Sequence, residues 1–244
     1  MKKLGLGILI AITVLALSGI AAAVTPVPAA EKGKAPDLEK IEFIHWKKDF
    51  ARPEPARTPK PPTCYKFLTP GKSPIKWQEL PVSYVINPTN PQGLAQNSIT
   101  SAVNDSAKTW DAATSKNLMG TSKIDDTATY GVQNYENAIT FGNYPTEGVI
   151  AVTTVWYNPL TKAIVEFDVM FDTDWTWGDA TVDATKMDLQ NIATHELGHG
   201  VGLADVYNDP CATVTMYGYS DYGETQKRTL ETPDITGLQK LYGE

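Results

Sequence analysis

Basic residues are scarce over most of this 244-residue chain. After Cys64, acidic side chains outnumber basic ones about two to one, and no run of lysine and arginine is interleaved with aromatics. Such a surface repels phosphate backbones and argues against nucleic acid as a partner. Long apolar runs are missing beyond the N-terminus, so no later segment is expected to cross a membrane. No internal repeat is visible. With 42% hydrophobic and 20% charged residues, the composition is that of an ordinary globular protein.

The N-terminus reads as an export signal. Lys2 and Lys3 precede an apolar run from Leu4 to Leu17, and Ala21-Ala22-Ala23 offers a small-residue cleavage site. Residues 1–23 are therefore expected to be a signal peptide and the protein to be secreted. The alternative is an uncleaved anchor tethering the protein to the outer face of the membrane, since apolar character continues to Val24. Pro26 and Pro28 favour cleavage, and the lack of a nearby cysteine argues against a lipid anchor. Cysteine is limited to Cys64 and Cys211. An even count in an exported chain suggests one disulfide; the other reading gives Cys64 to a metal as a latency switch.

Residues 24–62 form a proline-rich linker or short propeptide with little capacity for a core. Their one apolar island, Ile41 to Trp46, is long enough only to dock onto a neighbour, and His45 within it reads as incidental. Residues 63–244 are expected to be one α+β domain. Strands are predicted over Val82–Ile86, Ala138–Phe141, Val149–Tyr157 and Ala163–Phe171. Ile99, Val103, Ala107 and Trp110 recur at helical spacing within a helix predicted over Ser98–Ala113. A second helix is predicted over Met187–Gly200, with Leu189, Ile192, Ala193 and Leu197 buried. A third starts with Thr232 as its cap and Pro233 at the first position, with Ile235, Leu238 and Leu241 facing the core.

The second helix carries the chemistry. His195 and His199 are four residues apart, so both imidazoles leave one face and suit a single Zn²⁺. Glu196 projects beside them, within reach of a water. Gly202, three residues after His199, is suited to positive φ and stops the helix. The chain then turns back and brings Asp205 toward the metal from another direction, unless Asp205 is simply a polar turn residue. Three protein ligands leave a fourth zinc position open, as a catalytic site requires.

The run His195-Glu196-Leu197-Gly198-His199-Gly200-Val201-Gly202-Leu203-Ala204-Asp205, followed by Thr215-Met216-Tyr217, resembles the metzincin zinc peptidases, and most closely their matrixin branch. Leu230 to Gly243 is similar to the matrixin closing helix, and weaker similarity reaches back to about Lys76. The resemblance implies a zincin-like catalytic domain: a twisted mixed sheet, an active-site helix, a Met-turn at Met216 and a C-terminal helix. It also implies that Asp205 replaces the usual third histidine, as in the snapalysin-like branch. Met170 stands where a structural-zinc histidine is expected, so a second zinc is not. Asp172 and Asp174 resemble calcium-binding carboxylates and leave Ca²⁺ open. Pro62-Thr63-Cys64-Tyr65 is a poor match to the family's propeptide cysteine motif.

The implied activity is zinc-dependent endopeptidase, with Glu196 as general base and one catalytic Zn²⁺. A peptide or protein substrate would lie extended beside Val149–Thr154, aligned by Ala151 and Val152. Met216 would form an apolar floor beneath the ligands. A zinc-binding tyrosine would fall at Gly218, so Tyr217 or Tyr219 is instead expected to line the specificity pocket. A monomer is expected. The rival is a non-catalytic exported module that keeps the fold and metal and only binds peptides.

Overall fold

The computed structural model describes residues 37–50, 63–69 and 73–244. The expected signal peptide or anchor, and residues 24–36 and 51–62 of the proline-rich stretch, lie outside the described residues. Residues 36–244 cluster as one compact unit. Among the described residues, no helix is long and apolar enough to cross a membrane.

The strands are β1 (Glu39–Lys47), β2 (Lys66–Phe67), β3 (Val82–Ile86), β4 (Met119–Ile124), β5 (Ala138–Gly142) and β6 (Val149–Tyr157). They continue as β7 (Ile164–Asp172), β8 (Trp177–Gly178), β9 (Met187–Asp188), β10 (Leu203–Ala204) and β11 (Tyr219–Ser220). Three α-helices accompany them: α1 (Gln96–Asp111), α2 (Leu189–Gly200) and α3 (Thr232–Tyr242). Seven strands form one mixed sheet in the order β11-β1-β6-β7-β5-β3-β4. β1 runs antiparallel to β6 and parallel to β11, and β6 runs antiparallel to β7. The β7-β5-β3-β4 half is parallel. This is the expected mixed sheet with an active-site helix and a C-terminal helix.

The sequence pattern predicts β3, β5, β6, β7 and the three helices, half of the strands and α-helices described. Every residue of β6 is buried, as a continuous apolar run between two neighbours requires. Ile99, Val103, Ala107 and Trp110 make the buried face of α1, as their spacing predicts, although the helix begins two residues earlier than expected. α2 begins at Leu189 rather than Met187, because Asp188 caps it and its carboxylate accepts from the Asn191 N–H at 2.8 Å. Thr232 is not the cap of α3. Glu231 holds that position, and its N–H donates at 3.0 Å to Asp234, the third helical residue. The largest departure is β1. The apolar island of the proline-rich stretch is a full strand of the main sheet, paired with β6 from Glu39↔Tyr157 to Trp46↔Val149.

α2 is enclosed on nearly every face, with only Gln190 among its residues less than fully buried. Trp110 donates its indole N–H to Thr194 O at 2.8 Å, and Trp77 does the same to Gly200 O at 2.8 Å. These bonds satisfy carbonyls that water cannot reach. A side chain at Gly198 would place Cβ 2.2 Å from Met216 Sδ and 2.7 Å from a Trp110 ring carbon. Met216 therefore sits hard beneath the helix, as the Met-turn reading expects. Gly198→Ala is expected to lower stability by about 1–3 kcal/mol through overpacking, read as a drop in urea midpoint with an unchanged slope.

Candidate metal centre

Two imidazoles and one carboxylate converge above α2. His195 Nε2 lies 3.1 Å from Asp205 Oδ1, and His199 Nε2 lies 3.4 Å from the same oxygen. None of these three buried atoms makes a hydrogen bond. The other ring nitrogens explain why. His195 Nδ1 donates to Thr215 O at 2.7 Å and His199 Nδ1 donates to Leu203 O at 2.8 Å. A carbonyl can only accept, so each ring, when neutral, carries its proton on Nδ1 and presents a bare lone pair at Nε2. Three unsatisfied acceptors pointing at one spot would be costly unless a cation joins them.

The chain reaches this geometry by local means. The helical step carries His195 and His199 to one face. Gly202, at φ +109°, ends the helix, and its N–H donates to His199 O at 3.0 Å. The next residues pair as β10 with β2 and aim Asp205 back. Tyr207 donates its hydroxyl to Asp205 Oδ2 at 3.0 Å, leaving Oδ1 for the cluster. Burial pushes the Asp205 carboxyl up, but His199 and His195 outweigh it and hold it well below the usual range. Burial drives His195 down to about 4. Burial also opposes charge on His199, yet the Asp205 carboxylate prevails and raises it. Asp234, fully buried on α3, accepts from the N–H groups of Thr215 (2.9 Å) and Met216 (3.2 Å), which fixes the Met-turn beneath the two imidazoles.

Glu196 is completely buried, and burial lifts its carboxyl to about 7. Thr153 Oγ1 donates to Oε2 at 2.5 Å. Oε1 lies 2.9 Å from Nδ1 of His45. His45 is thus not incidental: it is fully buried, 151 residues from its partner, with its ring 4.0 Å from that of His195. Phe43 stacks on His199 at 4.1 Å with the planes 10° apart. β1 lies directly over the cluster. The sequence concealed His45 because it has no ligand-like neighbour in the chain. The alternation of Ile41, Phe43 and His45 along one strand face was the available signal.

Ala151 and Val152, expected to align a substrate, pair instead with His45 and Ile44 of β1. Tyr217 and Tyr219 are buried, and their carbonyls accept from the ammonium of Lys227, which sequence reasoning passed over. Cys64 and Cys211 form a disulfide with Cα atoms 5.3 Å apart, so Cys64 is not the latency switch. Asp172 and Asp174 make local bonds, Oδ1 of Asp172 accepting from the Asp174 N–H and Oδ1 of Asp174 from Asn143. Among the described residues, neither joins a group of three potential metal ligands. His45 does group with His195 and Glu196, but both of its nitrogens already have partners.

Comparison with known proteins places this geometry in context. A family model described as matrixin, of the M10 peptidases, matches residues 76–243. Neutrophil collagenase of Homo sapiens is 30% identical over 177 residues, covering 72% of this chain and 35% of that protein. Stromelysin-1 of Rattus norvegicus is 29% identical over 181 residues, with the same coverage. Matrix metalloproteinase-16 of Rattus norvegicus is 42% identical over 78 residues, 31% of this chain and 12% of that protein. The chain thus spans only about a third or less of the length of these relatives. The match takes in the whole of α2, the Met-turn and the whole of α3, and on that basis the chain belongs to the matrixin family.

Proposed function

We propose that this protein is an exported zinc-dependent endopeptidase whose cleft is closed, in the described arrangement, by its own residues 39–47. The observation that carries the catalytic reading is the trio of unsatisfied acceptors on His195, His199 and Asp205, with a carboxylate on the next residue of the same helix. Those three residues suit a zinc ion in type and number and leave a position for solvent. Zinc, when bound, supplies Lewis acidity that acidifies water and polarises a carbonyl.

The chain's own groups do the rest. Glu196, lifted toward neutrality by burial, takes a proton from the attacking water and returns it to the leaving amine. Thr153 orients that carboxylate from β6. An extended peptide would add to the edge of β6 by main-chain hydrogen bonds, the seat that β1 now fills. Phe43 and His45 cover the two imidazoles, and the His45 ring takes up Glu196 Oε1. Residues 39–47 therefore act as the working part of a short propeptide. Glu196 favours this reading over a non-catalytic binding module, since a module that only held peptides would have no use for a buried, unpaired-with-lysine carboxylate beside the ligands.

Glu196→Ala is expected to keep one zinc per chain by metal analysis and to lose chelator-sensitive peptide cleavage by at least about 100-fold. Zinc-loaded wild type that cleaves no peptide after β1 is released would sink the enzyme assignment. Asp205→Ala should weaken zinc binding by at least about 100-fold in competition with a chromophoric chelator. In Asp205→His, a neutral ligand leaves the ion more positive, so the acid limb of the pH–rate profile should move to lower pH; an unmoved limb in an active, zinc-loaded variant contradicts ligation by Asp205. Phe43→Ser removes the stack on His199 and should raise the cleavage rate of the full chain about tenfold, the population shift expected from losing an aromatic contact of about 1.4 kcal/mol.

A further inference from the structure

His45 marks a pocket as well as a lid. Its ring is fully buried between α2, β11 and the loop that follows β11. Near its Cβ, Nδ1 faces Glu196 Oε1 at 2.9 Å. At its far tip, Nε2 faces Ser220 Oγ at 3.0 Å and Lys227 Nζ at 3.1 Å. A carboxylate beside Nδ1 requires a proton there, so Nε2 is an acceptor and the pocket floor is a pair of donors.

Lys227 is an unusual floor. Its side chain is completely buried, and its ammonium donates to the carbonyls of Tyr217 and Tyr219, the latter at 3.1 Å. Among the described residues, no carboxylate forms an ion pair with it. Its backbone N–H donates to Asn191 Oδ1 at 2.7 Å, tying the residue to α2. A buried lysine held by two carbonyls and one imidazole lacks a compensating charge. Burial lowers it to about 7, against the pull of Glu224, Asp205 and Glu196. When β1 leaves, the third donor direction opens into the vacated pocket.

The geometry points to a specificity pocket in which Lys227 and Ser220 select a glutamate side chain of the substrate at the register that His45 occupies. The choice of glutamate follows from bond counting. Its carboxylate oxygens lie three bonds from Cβ, as His45 Nε2 does, and so reach Lys227 and Ser220. Aspartate oxygens lie two bonds from Cβ, as Nδ1 does, and would meet Glu196 instead. Glutamine has the reach of glutamate without the charge and ranks second. An apolar side chain would strand the ammonium and the hydroxyl.

This inference rests on the peptidase reading, and two measurements on the full chain separate their fates. First, the zinc-loaded Phe43→Ser protein is incubated with a library of peptides cut from a proteome, and product ends are sequenced by mass spectrometry. Glutamate is expected at one fixed position within two residues of the cleaved bond, favoured at least about tenfold over leucine and over aspartate. Adding Lys227→Met should abolish that preference and move it to apolar residues. An apolar preference before that substitution overturns the pocket assignment. Cleavage of nothing at all would sink the peptidase reading without deciding the pocket, so a second readout needs no activity. In it, His45→Glu and His45→Leu are compared by thermal unfolding with and without Lys227→Met. The stability of His45→Glu relative to His45→Leu should be higher by several degrees of Tm with Lys227 present than with Lys227→Met. Glu196 is common to all four proteins, so its repulsion cancels in the cycle. An equal Glu-minus-Leu difference in both backgrounds rejects a carboxylate-binding pocket.

Discussion

Two protons on the far side of two rings organise the candidate centre. Because Thr215 O and Leu203 O each demand a donor, both histidines are held as the tautomer whose remaining lone pair points inward. Everything around the site serves that arrangement. Asp234 pins the Met-turn that carries Thr215, and Gly202 bends the chain that carries Leu203. The tryptophans on the flanks of α2 satisfy its carbonyls so that the helix can lie buried with polar residues aboard. Move either carbonyl and the imidazole loses the bond that fixes its tautomer, so the geometry of the cluster depends on the bend at Leu203 and the turn at Thr215.

The same helix faces a strand that belongs to the sheet by pairing and to the cleft by position. β1 separates β6 from the two-residue β11, so without it β6 would become the sheet edge on that side. An exposed edge beside a reactive site is both useful and hazardous, because it pairs with whatever extended chain arrives. Here the chain supplies its own partner, and it fits closely enough to stack on the His199 ring and hydrogen-bond to the Glu196 carboxylate.

What the sequence disclosed, and what it hid, divides by distance along the chain. His195, Glu196 and His199 are legible because one helical turn relates them, and Gly202 and Asp205 because a bend follows at once. The strands from β5 to β7 are legible from apolar runs between turn signals. His45 and Lys227 are not, since their contact joins residues 182 apart and neither belongs to a spaced motif. Lysine in particular reads as solvent-facing by default, and only a folded chain reveals one enclosed among carbonyls. Thr153 was hidden for the opposite reason: inside the uniformly buried β6, nothing local distinguishes the hydroxyl that meets Glu196.

The position of the disulfide has a consequence for turnover of the closed state. Cys64 lies after the proline-rich stretch and is bolted to Cys211, in the stretch of chain between Asp205 and Met216. Cleavage anywhere in residues 51–62 would thus leave Cys64 and Cys211 fastened while cutting the covalent tie between Glu39–Lys47 and the chain from Cys64 onward. On the proposed reading, the tethered segment would rebind as an intramolecular ligand at high effective concentration, and the severed one would be an ordinary short peptide that dilution can carry away. A cross-link on the near side of residues 51–62 would have held a covering segment in place after such a cut; the Cys64–Cys211 bond, on the far side, would not.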